Sequence, residues 1–350
     1  MSQHVCAVLH EMAENLERPC HLFSLNDPVG VHVMKVAGRR FTVRGFGKKK
    51  GSFVRAVIAK IPNGRLVYTA HPSFGPLGLL CKLLNSRVHY VVTAHGTEVW
   101  NPMSWLHRLA LQHATALTAV SASTAQYLIQ VQGVDPSKIV VIPNAIGPDL
   151  LSPNGYKVGT DLLFGSRQIL LAVGRLDAGE RLKGLDKVIL ALPEVIKVVP
   201  ELTFVIAGEG DDRQRLEDLA KGLGVSDSVC FTGALSDEEL VGLYKRCDVF
   251  VMPSKQEGFG IVFLEAMACS KPVIGGRHGG TPEIILDSVT GYLVDHNDIE
   301  TLIDRISRLL GDAALRRRMG EAGRRRVEEN YTFEPMRKRF IGLLTEVFNA

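Results

Sequence analysis

The sequence predicts an α/β protein made of two doubly wound, Rossmann-like domains, each built on a parallel sheet. Apolar strand-like runs alternate with helical stretches along the whole chain, which is typical of parallel sheets covered by helices on both faces. With 350 residues the chain is also longer than one hydrophobic core usually supports. A stretch rich in Pro, Gly and Asn, Pro143–Gly155, separates two such alternating series and is the predicted linker.

The elements follow from apolar runs and their periodicity. The first helix is predicted over Ser2–Leu16. In the first half the predicted strands are Cys20–Leu25, Leu66–Thr69, Val88–Ala94, Ala116–Val120 and Ile139–Ile142, with helices at Trp105–His113 and Ala122–Val131. In the second half the predicted strands are Ile169–Val173, Thr203–Ala207, Val229–Thr232, Val249–Met252 and Pro272–Ile274, and the last helix is Phe333–Phe348.

The positive charge is concentrated in the first half. Residues 1–150 contain 15 Lys or Arg against 7 Asp or Glu, whereas residues 151–350 contain 26 against 30. The densest cluster consists of Arg39, Arg40, Arg44 and Lys48 to Lys50. It is suited to anionic lipid headgroups or an acidic acceptor, and equally to a solvated loop. Nucleic acid is not an expected partner, because no interleaved aromatic residues or recognition motif accompany the cluster.

Several classes of protein are disfavoured by composition. No apolar run reaches the roughly 18 residues of a membrane span and the N-terminus lacks a signal pattern, so a cytoplasmic location is expected, with a peripheral position at the inner membrane face left open. Six cysteines are scattered without metal-binding spacing. We therefore expect reduced packing thiols and no metal site.

The segment QEGFGIVFLEAMA, from Gln256 to Ala268, carries two glutamates in an otherwise apolar run. Gly258 and Gly260 allow a tight turn, and the apolar spacing after them predicts a helix, so Glu257 lies on a loop and Glu265 on the first helical turns. The two lie about 12 Å apart along a helix axis, close to the length of one small molecule. The N–H groups at the helix start favour an anion. Alternatively, Glu265 only offsets the helix dipole and Glu257 is solvated.

Two cations follow another predicted strand. Arg175 comes after Gly174 at the strand end, and Lys183 precedes Gly184 eight residues later. A forked guanidinium and a point-charge ammonium together suit a diphosphate, although Lys183 alone would be an ordinary surface lysine. A second glycine pair in VIAGEGDDR lacks the third glycine of the dinucleotide fingerprint, because Arg213 stands there, and predicts only a tight turn.

A histidine ends a strand in the first half. In VVTAHGTEVW, His95 follows the strand, Gly96 allows close backbone approach, and Glu98 comes soon after. A strand-end histidine is a candidate for holding a polar ligand, although most single histidines are structural. A further glycine turn, Gly279–Glu283, precedes a helix with Thr281 predicted as its cap and Pro282 at its first position, and it is equally well explained as a simple helix start.

Taken together, these motifs resemble those of the family 4 retaining glycosyltransferases of the GT-B fold, from about residue 5 to the C-terminus. The resemblance rests on four motifs in the same order: His95-Gly96; Gly174-Arg175 with Lys183-Gly184; Glu257-x7-Glu265; and Gly279-Gly280-x-Pro-Glu283. It implies two Rossmann-like domains that face each other across a cleft. Residues 1–150, completed by a last helix at 333–350 that crosses back, would bind the acceptor, and residues 151–332 the nucleotide sugar.

The same resemblance implies roles for individual residues. Glu265 would hold the ribose hydroxyls, Glu257 the hexose hydroxyls, and His95 would lie beside the transferred sugar, with Glu98 as its acidic neighbour. Arg175 and Lys183 would neutralise the diphosphate with help from the N–H groups of Gly258, Phe259, Gly260 and Ile261. The implied reaction is a metal-independent, retaining transfer of a hexosyl group from a nucleotide-diphospho-sugar to a hydroxyl of a saccharide or lipid-linked acceptor. The nucleotide sugar is a co-substrate, and no cofactor is expected.

Two departures from the family pattern stand out. Family members usually begin with a strand and a Gly-rich turn, whereas Ser2–Leu16 already reads as the first helix, so we hypothesise a start truncated by one strand or a misplaced initiation codon. Ser270 stands where the family often has a helix-ending glycine. Two alternatives remain: a nucleotide-sugar epimerase, and a non-catalytic nucleotide-sugar-binding protein that lacks the first strand.

Overall fold

The computed structural model describes residues 2–15, 17, 19–36, 39–151 and 165–349. The chain forms two compact units, one of residues 1–145 with 332–350, the other of residues 146–331. The first boundary lies inside the predicted linker Pro143–Gly155, whose residues 152–155 fall outside the described part, as does Leu16 at the end of the predicted first helix.

The first unit alternates strands and helices. Its helices are α1 (Ser2–Asn15), α2 (Lys50–Ile58), α3 (Gly75–Leu84), α4 (Trp105–Gln112) and α5 (Ala122–Gln130). Its strands are β1 (Leu22–Ser24), β2 (Gly30–Val36), β3 (Arg39–Gly45), β4 (Leu66–Thr69), β5 (His89–Ala94), β6 (Ala116–Ala119) and β7 (Ile139–Val141). The predicted helices and the five predicted strands of this half are confirmed to within two residues at their ends.

The strands of the first unit form two sheets. Strands β4 to β7 make a parallel sheet in chain order, which agrees with the predicted class. A separate three-stranded sheet has the order β1-β3-β2, in which β2 and β3 are antiparallel and β1 is parallel to β3. The sequence analysis did not predict β2 and β3, and the interpretation of Arg39 to Arg44 as a solvated loop is wrong.

The last helix of the chain belongs to the first unit. Helix α14 (Phe333–Asn349) packs Phe340 and Leu344 against Val91 of β5 and Val8 of α1. The Arg337 guanidinium also forms an ion pair with the carboxylate of Glu11, and this contact joins residues 326 positions apart. The predicted return of the chain end to the first domain is therefore confirmed.

The second unit holds one six-stranded parallel sheet. Its strands are β8 (Gln168–Val173), β9 (Leu202–Ala207), β10 (Val229–Gly233), β11 (Val249–Met252), β12 (Val273–Gly276) and β13 (Gly291–Val294), in the order β10-β9-β8-β11-β12-β13. Its helices are α6 (Pro148–Leu151), α7 (Leu185–Val198), α8 (Arg213–Gly222), α9 (Asp237–Arg246), α10 (Ile261–Ala268), α11 (Thr281–Ile284), α12 (Ile299–Gly311) and α13 (Ala313–Asn330). The sequence analysis did not predict strand β13, whose residues are GYLV.

Helices cover the second sheet and define its core. Ile189 and Leu192 of α7 pack with Ile306 of α12 against Leu170 of β8 and Phe204 of β9, all fully buried. The order of the strands reverses direction between β8 and β11, which lie side by side although β9 and β10 follow β8 in the chain. In an open parallel sheet, ligands bind outside the carboxyl ends of the strands at such a switch point. The loops after β8 and β11 are therefore the expected location of a ligand-binding site.

Candidate active site

The loop after β8 presents Arg175. The backbone N–H of Gly174 donates to Ala207 O at 3.0 Å, and Leu176 N donates to Glu209 O at 2.8 Å, so two neighbouring strand ends fix this loop. Gly208 has φ 147°, and a Cβ on it would lie 1.9 Å from Gly174 O. The predicted glycine turn after β9 is thus a close backbone contact that supports Arg175.

The loop that carries Lys183 is tied to the loop after β11. Lys255 N donates to Leu182 O at 2.8 Å, and the Ser254 hydroxyl donates to Lys183 O at 3.4 Å. Gly184 has φ 79°, and an added Cβ would lie 2.7 Å from Pro253 O. Only glycine fits this left-handed position so close to another backbone, which explains the Lys-Gly pair of the sequence.

One carboxylate binds both predicted cations. Glu180 pairs with the Arg175 guanidinium through one oxygen and with the Lys183 ammonium through the other. The side chain of Arg175 is 75 % exposed, whereas those of Lys183 and Glu180 are each 21 % exposed. Sequence reasoning placed the two cations together and missed Glu180; its position three residues before Lys183 and five after Arg175 was the available signal. Any anion that binds these cations competes with Glu180.

Glu257 is half-buried beside this group. Its carboxylate accepts the Phe259 N–H at 3.5 Å. Burial raises the pKa of Glu257, and the nearby Lys183 ammonium and the N–H groups of Phe259 and Gly258 partly oppose that rise. Glu257 and Lys183 therefore act on each other electrostatically. Gly258 and Phe259, predicted as donors to a diphosphate, direct their N–H groups at this carboxylate.

The Gly279–Glu283 turn packs directly against the backbone of the Glu257 loop. Gly280 N donates to Glu257 O at 2.8 Å. Gly279 has φ 68°, and a Cβ there would lie 2.2 Å from Glu257 O, so a side chain at this position would displace the loop. Helix α11 starts one residue earlier than predicted: Gly280 is its N-cap and Thr281 its first residue, with no side-chain cap. The backbone contact at Gly279 and Gly280 gives this motif its structural role.

Helix α10 begins immediately after the turn, as predicted. Gly260 is its N-cap with φ 94°, a left-handed conformation that glycine adopts without strain. The first N–H groups of any helix have no acceptor within that helix and carry a partial positive charge. The N–H of Ile261 belongs to this first turn, where the partial positive charge favours an anion.

Glu265 lies in α10 and is oriented by a buried tyrosine. The hydroxyl of Tyr244, a fully buried residue of α9, donates to Glu265 Oε2 at 2.6 Å. Burial raises the pKa of Glu265, while this hydrogen bond opposes the rise. Burial and the adjacent carboxylate raise the pKa of Tyr244 well above its ordinary value, so the hydroxyl stays protonated and remains a donor. Sequence reasoning did not single out Tyr244, because the contact joins two helices 21 residues apart in sequence.

His95 of the first unit follows β5 and is held by hydrogen bonds at two atoms. Its backbone N–H donates to Glu98 Oε1 at 2.5 Å, and its ring Nε2 lies 2.7 Å from Ala70 O. Because a carbonyl oxygen only accepts, Nε2 carries the proton, which leaves Nδ1 as the acceptor of the neutral ring. Gly96 has φ 135° and lets the chain turn directly after the histidine.

A second histidine lies beside His95. The ring of His71 stacks on that of His95 with 6.3 Å between centroids, and burial together with His95 lowers the pKa of His71. His71 follows β4, the strand next to β5, so both rings come from the carboxyl ends of adjacent parallel strands. Sequence reasoning missed His71, although Thr-Ala-His after a predicted strand repeats the pattern around His95.

The second unit thus brings Arg175, Lys183 and Glu257 into one group with Glu180, and Tyr244 fixes Glu265 on the adjoining helix. His95 lies in the first unit with His71. Within the described residues, no group of three or more His, Cys, Asp or Glu side chains is arranged to hold a metal ion, and none of the described helices has the length and hydropathy of a membrane span. All six cysteines are free thiols; burial raises the pKa of Cys6, Cys81 and Cys269 to about 11, so these three stay protonated at neutral pH.

The fold and the strand-end site define a GT-B glycosyltransferase. The model of "Glycosyltransferase Family 4" matches residues 3–150, and that of "Glycosyl transferases group 1" matches residues 161–326. The chain belongs to this family of group 1 glycosyltransferases. It is a transferase that moves a sugar from a nucleotide-sugar donor to an acceptor, which confirms the resemblance predicted from the motifs.

Curated relatives span most of the chain. A GDP-mannose-dependent alpha-(1-6)-phosphatidylinositol monomannoside mannosyltransferase of Mycolicibacterium smegmatis is 33% identical over 284 residues, which are 77% of this chain and 73% of the relative. An N-acetyl-alpha-D-glucosaminyl L-malate synthase of Bacillus anthracis is 30% identical over 72% of this chain and 66% of its own length. The relatives act on different donors and acceptors, so membership alone does not fix either substrate.

Solved structures show the same fold. A sucrose-phosphate synthase from Thermosynechococcus elongatus superposes with a TM-score of 0.75 at 25% identity and covers 94% of this chain and 88% of that one. A glycosyltransferase from Rickettsia africae gives a TM-score of 0.76 at 19% identity, with 98% and 93% covered. The likeness extends over both units.

Proposed function

We propose that the protein is a retaining hexosyltransferase that uses a nucleotide-diphospho-sugar and a hydroxyl of a saccharide or lipid-linked acceptor. The observation that supports this most is the grouping of Lys183, Glu180, Arg175 and Glu257 at the strand ends of the second unit. Two cations that share one carboxylate suit a diphosphate, which would replace Glu180 as their partner. A half-buried carboxylate beside them suits the hydroxyl groups of the attached sugar.

Each proposed role follows from chemistry at a named atom. Glu265, with one oxygen held by Tyr244, has its second oxygen available to accept from the two ribose hydroxyls. The Lys183 ammonium and the Ile261 N–H at the start of α10 meet the diphosphate. Glu257 accepts from the hexose, and the Nδ1 of His95 accepts from a hydroxyl of the transferred sugar.

The proposed mechanism depends on charge at the leaving group. As the glycosyl bond breaks, negative charge builds on the departing phosphate while the sugar becomes oxocarbenium-like. Cations and N–H donors already placed at that oxygen stabilise the transition state more than the ground state. We propose that Arg175 and Lys183 supply this charge without a metal ion, and that the acceptor attacks from the face the phosphate leaves, which retains the anomeric configuration.

Thermal unfolding with candidate donors tests the donor site. The screen includes GDP-mannose, because the mycolicibacterial relative is GDP-mannose-dependent, together with UDP-glucose and ADP-glucose. A donor at 100 times its Kd is expected to add about 2.7 kcal/mol to the free energy of unfolding. Lys183→Ala and Glu265→Ala should each lose most of this gain. Lys197→Ala is the matched control, since Lys197 lies about 18 Å along α7 from Leu185, the first residue of that helix, and Lys183 precedes Leu185.

Product analysis tests the reaction itself. The anomeric coupling constant of the product, read by NMR, should match that of the donor, and activity should persist in excess chelator. An inverted product or loss of activity with chelator would refute those two parts of the proposal. Donor isomerised without any acceptor would instead favour an epimerase. An unchanged thermal gain in both the Lys183 and Glu265 variants would show that the donor site lies elsewhere.

A further inference from the structure

The outward face of the β2–β3 hairpin is a distinct surface of the first unit. In the antiparallel register Val31 lies opposite Arg44, and Val33 lies opposite Thr42. Paired residues project to the same side and alternate residues share a side, so these four side chains form one face. The opposite face packs inward, where Phe41 is buried against α1.

This face exposes apolar side chains on an edge strand. Val31 and Val33 are each 70% exposed, and Val29 just before the strand is 64% exposed. Strand β2 is the outer strand of the three-stranded sheet. Exposed β-branched residues on an edge strand promote association, and proteins usually cover or charge such strands. Three exposed valines in alternate positions therefore indicate a surface that another molecule covers when the protein functions.

Cations border the valines. Arg44 lies on the face itself, and Lys48, Lys49 and Lys50 follow it in exposed positions. A cavity of about 460 Å³ lies between them, lined by apolar Val29, Val31 and Phe46 and by polar Arg44, Lys49 and Ser52. Residues 28–97 contain twelve Lys or Arg and no Asp or Glu. Asp27, two residues before Val29, is the acidic residue beside this stretch, so the charge along the face is predominantly positive.

We propose that the valine face, meaning Val29, Val31, Val33, Arg44 and Lys49, docks on an anionic lipid bilayer. The valines enter the interface between headgroups and acyl chains, and the cations meet lipid phosphates. A second copy of the chain fits less well, because two such faces would bring their cations together. A nucleic acid would use the cations and leave the valines in water. This proposal does not depend on the identity of the donor or the acceptor.

Co-sedimentation of the full chain with lipid vesicles tests the proposal. Vesicles of phosphatidylcholine with about one third phosphatidylglycerol should bind the protein, and vesicles of phosphatidylcholine alone should bind it weakly. Binding should fall as salt is raised. Because each cation contributes about fivefold to partitioning, Arg44→Gln with Lys49→Gln should lower it about 25-fold. Val31→Ser with Val33→Ser should lower it about tenfold through lost burial.

Matched control variants distinguish the effect of this face on partitioning from the effects of exposed cations and apolar side chains elsewhere. Arg317→Gln with Arg318→Gln removes two exposed cations of the second unit, and Leu83→Ser removes a 75% exposed leucine elsewhere on the first unit. Neither should change partitioning, and all variants should keep the wild-type circular dichroism spectrum. Equal loss in the control variants, or binding that ignores lipid charge, would overturn the proposal. A dimer in sedimentation velocity that Val31→Ser with Val33→Ser dissociates would show a second copy to be the occupant instead.

Discussion

The buried carboxyl groups of Glu257 and Glu265 lower the stability of the folded chain when they are charged. Burial raises the pKa of both carboxyl groups, which means that their charged forms are less favourable in the folded chain than in water. An amide of the same shape would avoid that cost. The proposed donor site accounts for two such carboxylates on one loop and helix.

The pH dependence of stability follows from the sign of this shift. A raised pKa means that the folded state binds the proton more tightly, so the group's contribution to stability is full below its ordinary value of 4.5 and is lost as pH rises through the raised value. Glu257→Gln keeps the group neutral at every pH. We expect the variant to be more stable than the wild type at pH 7 and equal to it near pH 4, as measured by urea unfolding. A variant less stable than the wild type at pH 7 would mean that the Lys183 contact outweighs burial.

Tyr244 is expected to act through Glu265. Tyr244→Phe preserves the packing of the ring against Phe250 and removes the hydroxyl that holds Glu265 Oε2. A hydrogen bond to a charged group is worth about 1.5 to 3 kcal/mol, so nucleotide affinity should fall about tenfold or more. Isothermal titration calorimetry with a nucleoside diphosphate measures the change in Kd.

The affinity for a second nucleotide distinguishes a loss of Glu265 orientation from a general disruption of the site. The 2′-deoxynucleotide lacks one hydroxyl for Glu265, so the ratio of Kd values between the two nucleotides should shrink in Tyr244→Phe. Tyr292→Phe, at a buried tyrosine of β13, is the matched control and should leave both values unchanged. An unchanged ratio in Tyr244→Phe would place its role in packing alone.

At the scale of an element, the end of helix α10 carries strain. Ser270, just past the helix, has φ 58°, the left-handed conformation that glycine adopts at helix ends. The sequence analysis placed Ser270 where the family often has a helix-ending glycine, and the observed φ explains why a side chain is unfavourable at this position. Gly320 of α13 packs on this turn, since a Cβ at position 320 would lie 1.9 Å from Ser270 O. Packing against α13 therefore holds Ser270 in the left-handed conformation.

Ser270→Gly should relieve this strain. We expect the free energy of unfolding to rise by about 0.5 to 1 kcal/mol and the Tm by about 1 to 3 °C. Ala322→Gly, in the helical interior of α13, is the control and should lower stability by roughly 1 kcal/mol. Differential scanning calorimetry of the two variants gives the comparison, and a fall in Tm for Ser270→Gly would contradict the strain.

The β2–β3 hairpin shows where element prediction failed. The run from Val31 to Val36 has polar residues at His32 and Lys35, which are three positions apart and break the strict alternation of a strand, and the sequence analysis assigned no element to it. The pairing with β3 that settles its conformation is visible only in the register of Val31 with Arg44. Arg39, Arg40 and Arg44 lie on β3, the central strand, where they flank the buried apolar residues Phe41 and Val43 and mask the strand pattern.

At the scale of the whole molecule, the two units should respond differently to ligand. The proposed donor residues all belong to residues 146–331, so a nucleoside diphosphate without sugar should protect backbone amides there. Hydrogen exchange read by mass spectrometry should show slower exchange at 174–184, 257–265 and 244–246. Peptides spanning 71–98 of the first unit should change less. Equal protection in both segments would contradict a donor site carried by the second unit alone.

The sequence alone determined the α/β class, most elements, the position of the return helix α14 and the four motifs that identify the family. These are local properties: apolar period, glycine before or after a strand, and cations or carboxylates at strand ends. Only the tertiary structure decided which groups touch. Glu180 between the two cations, Tyr244 on Glu265, His71 on His95 and Arg44 opposite Val31 are contacts whose partners sit on different turns, helices or strands. The spacing of these residues along the chain can be seen in the sequence, but tertiary packing sets the distances between their side chains. The chemistry of a site depends on those distances.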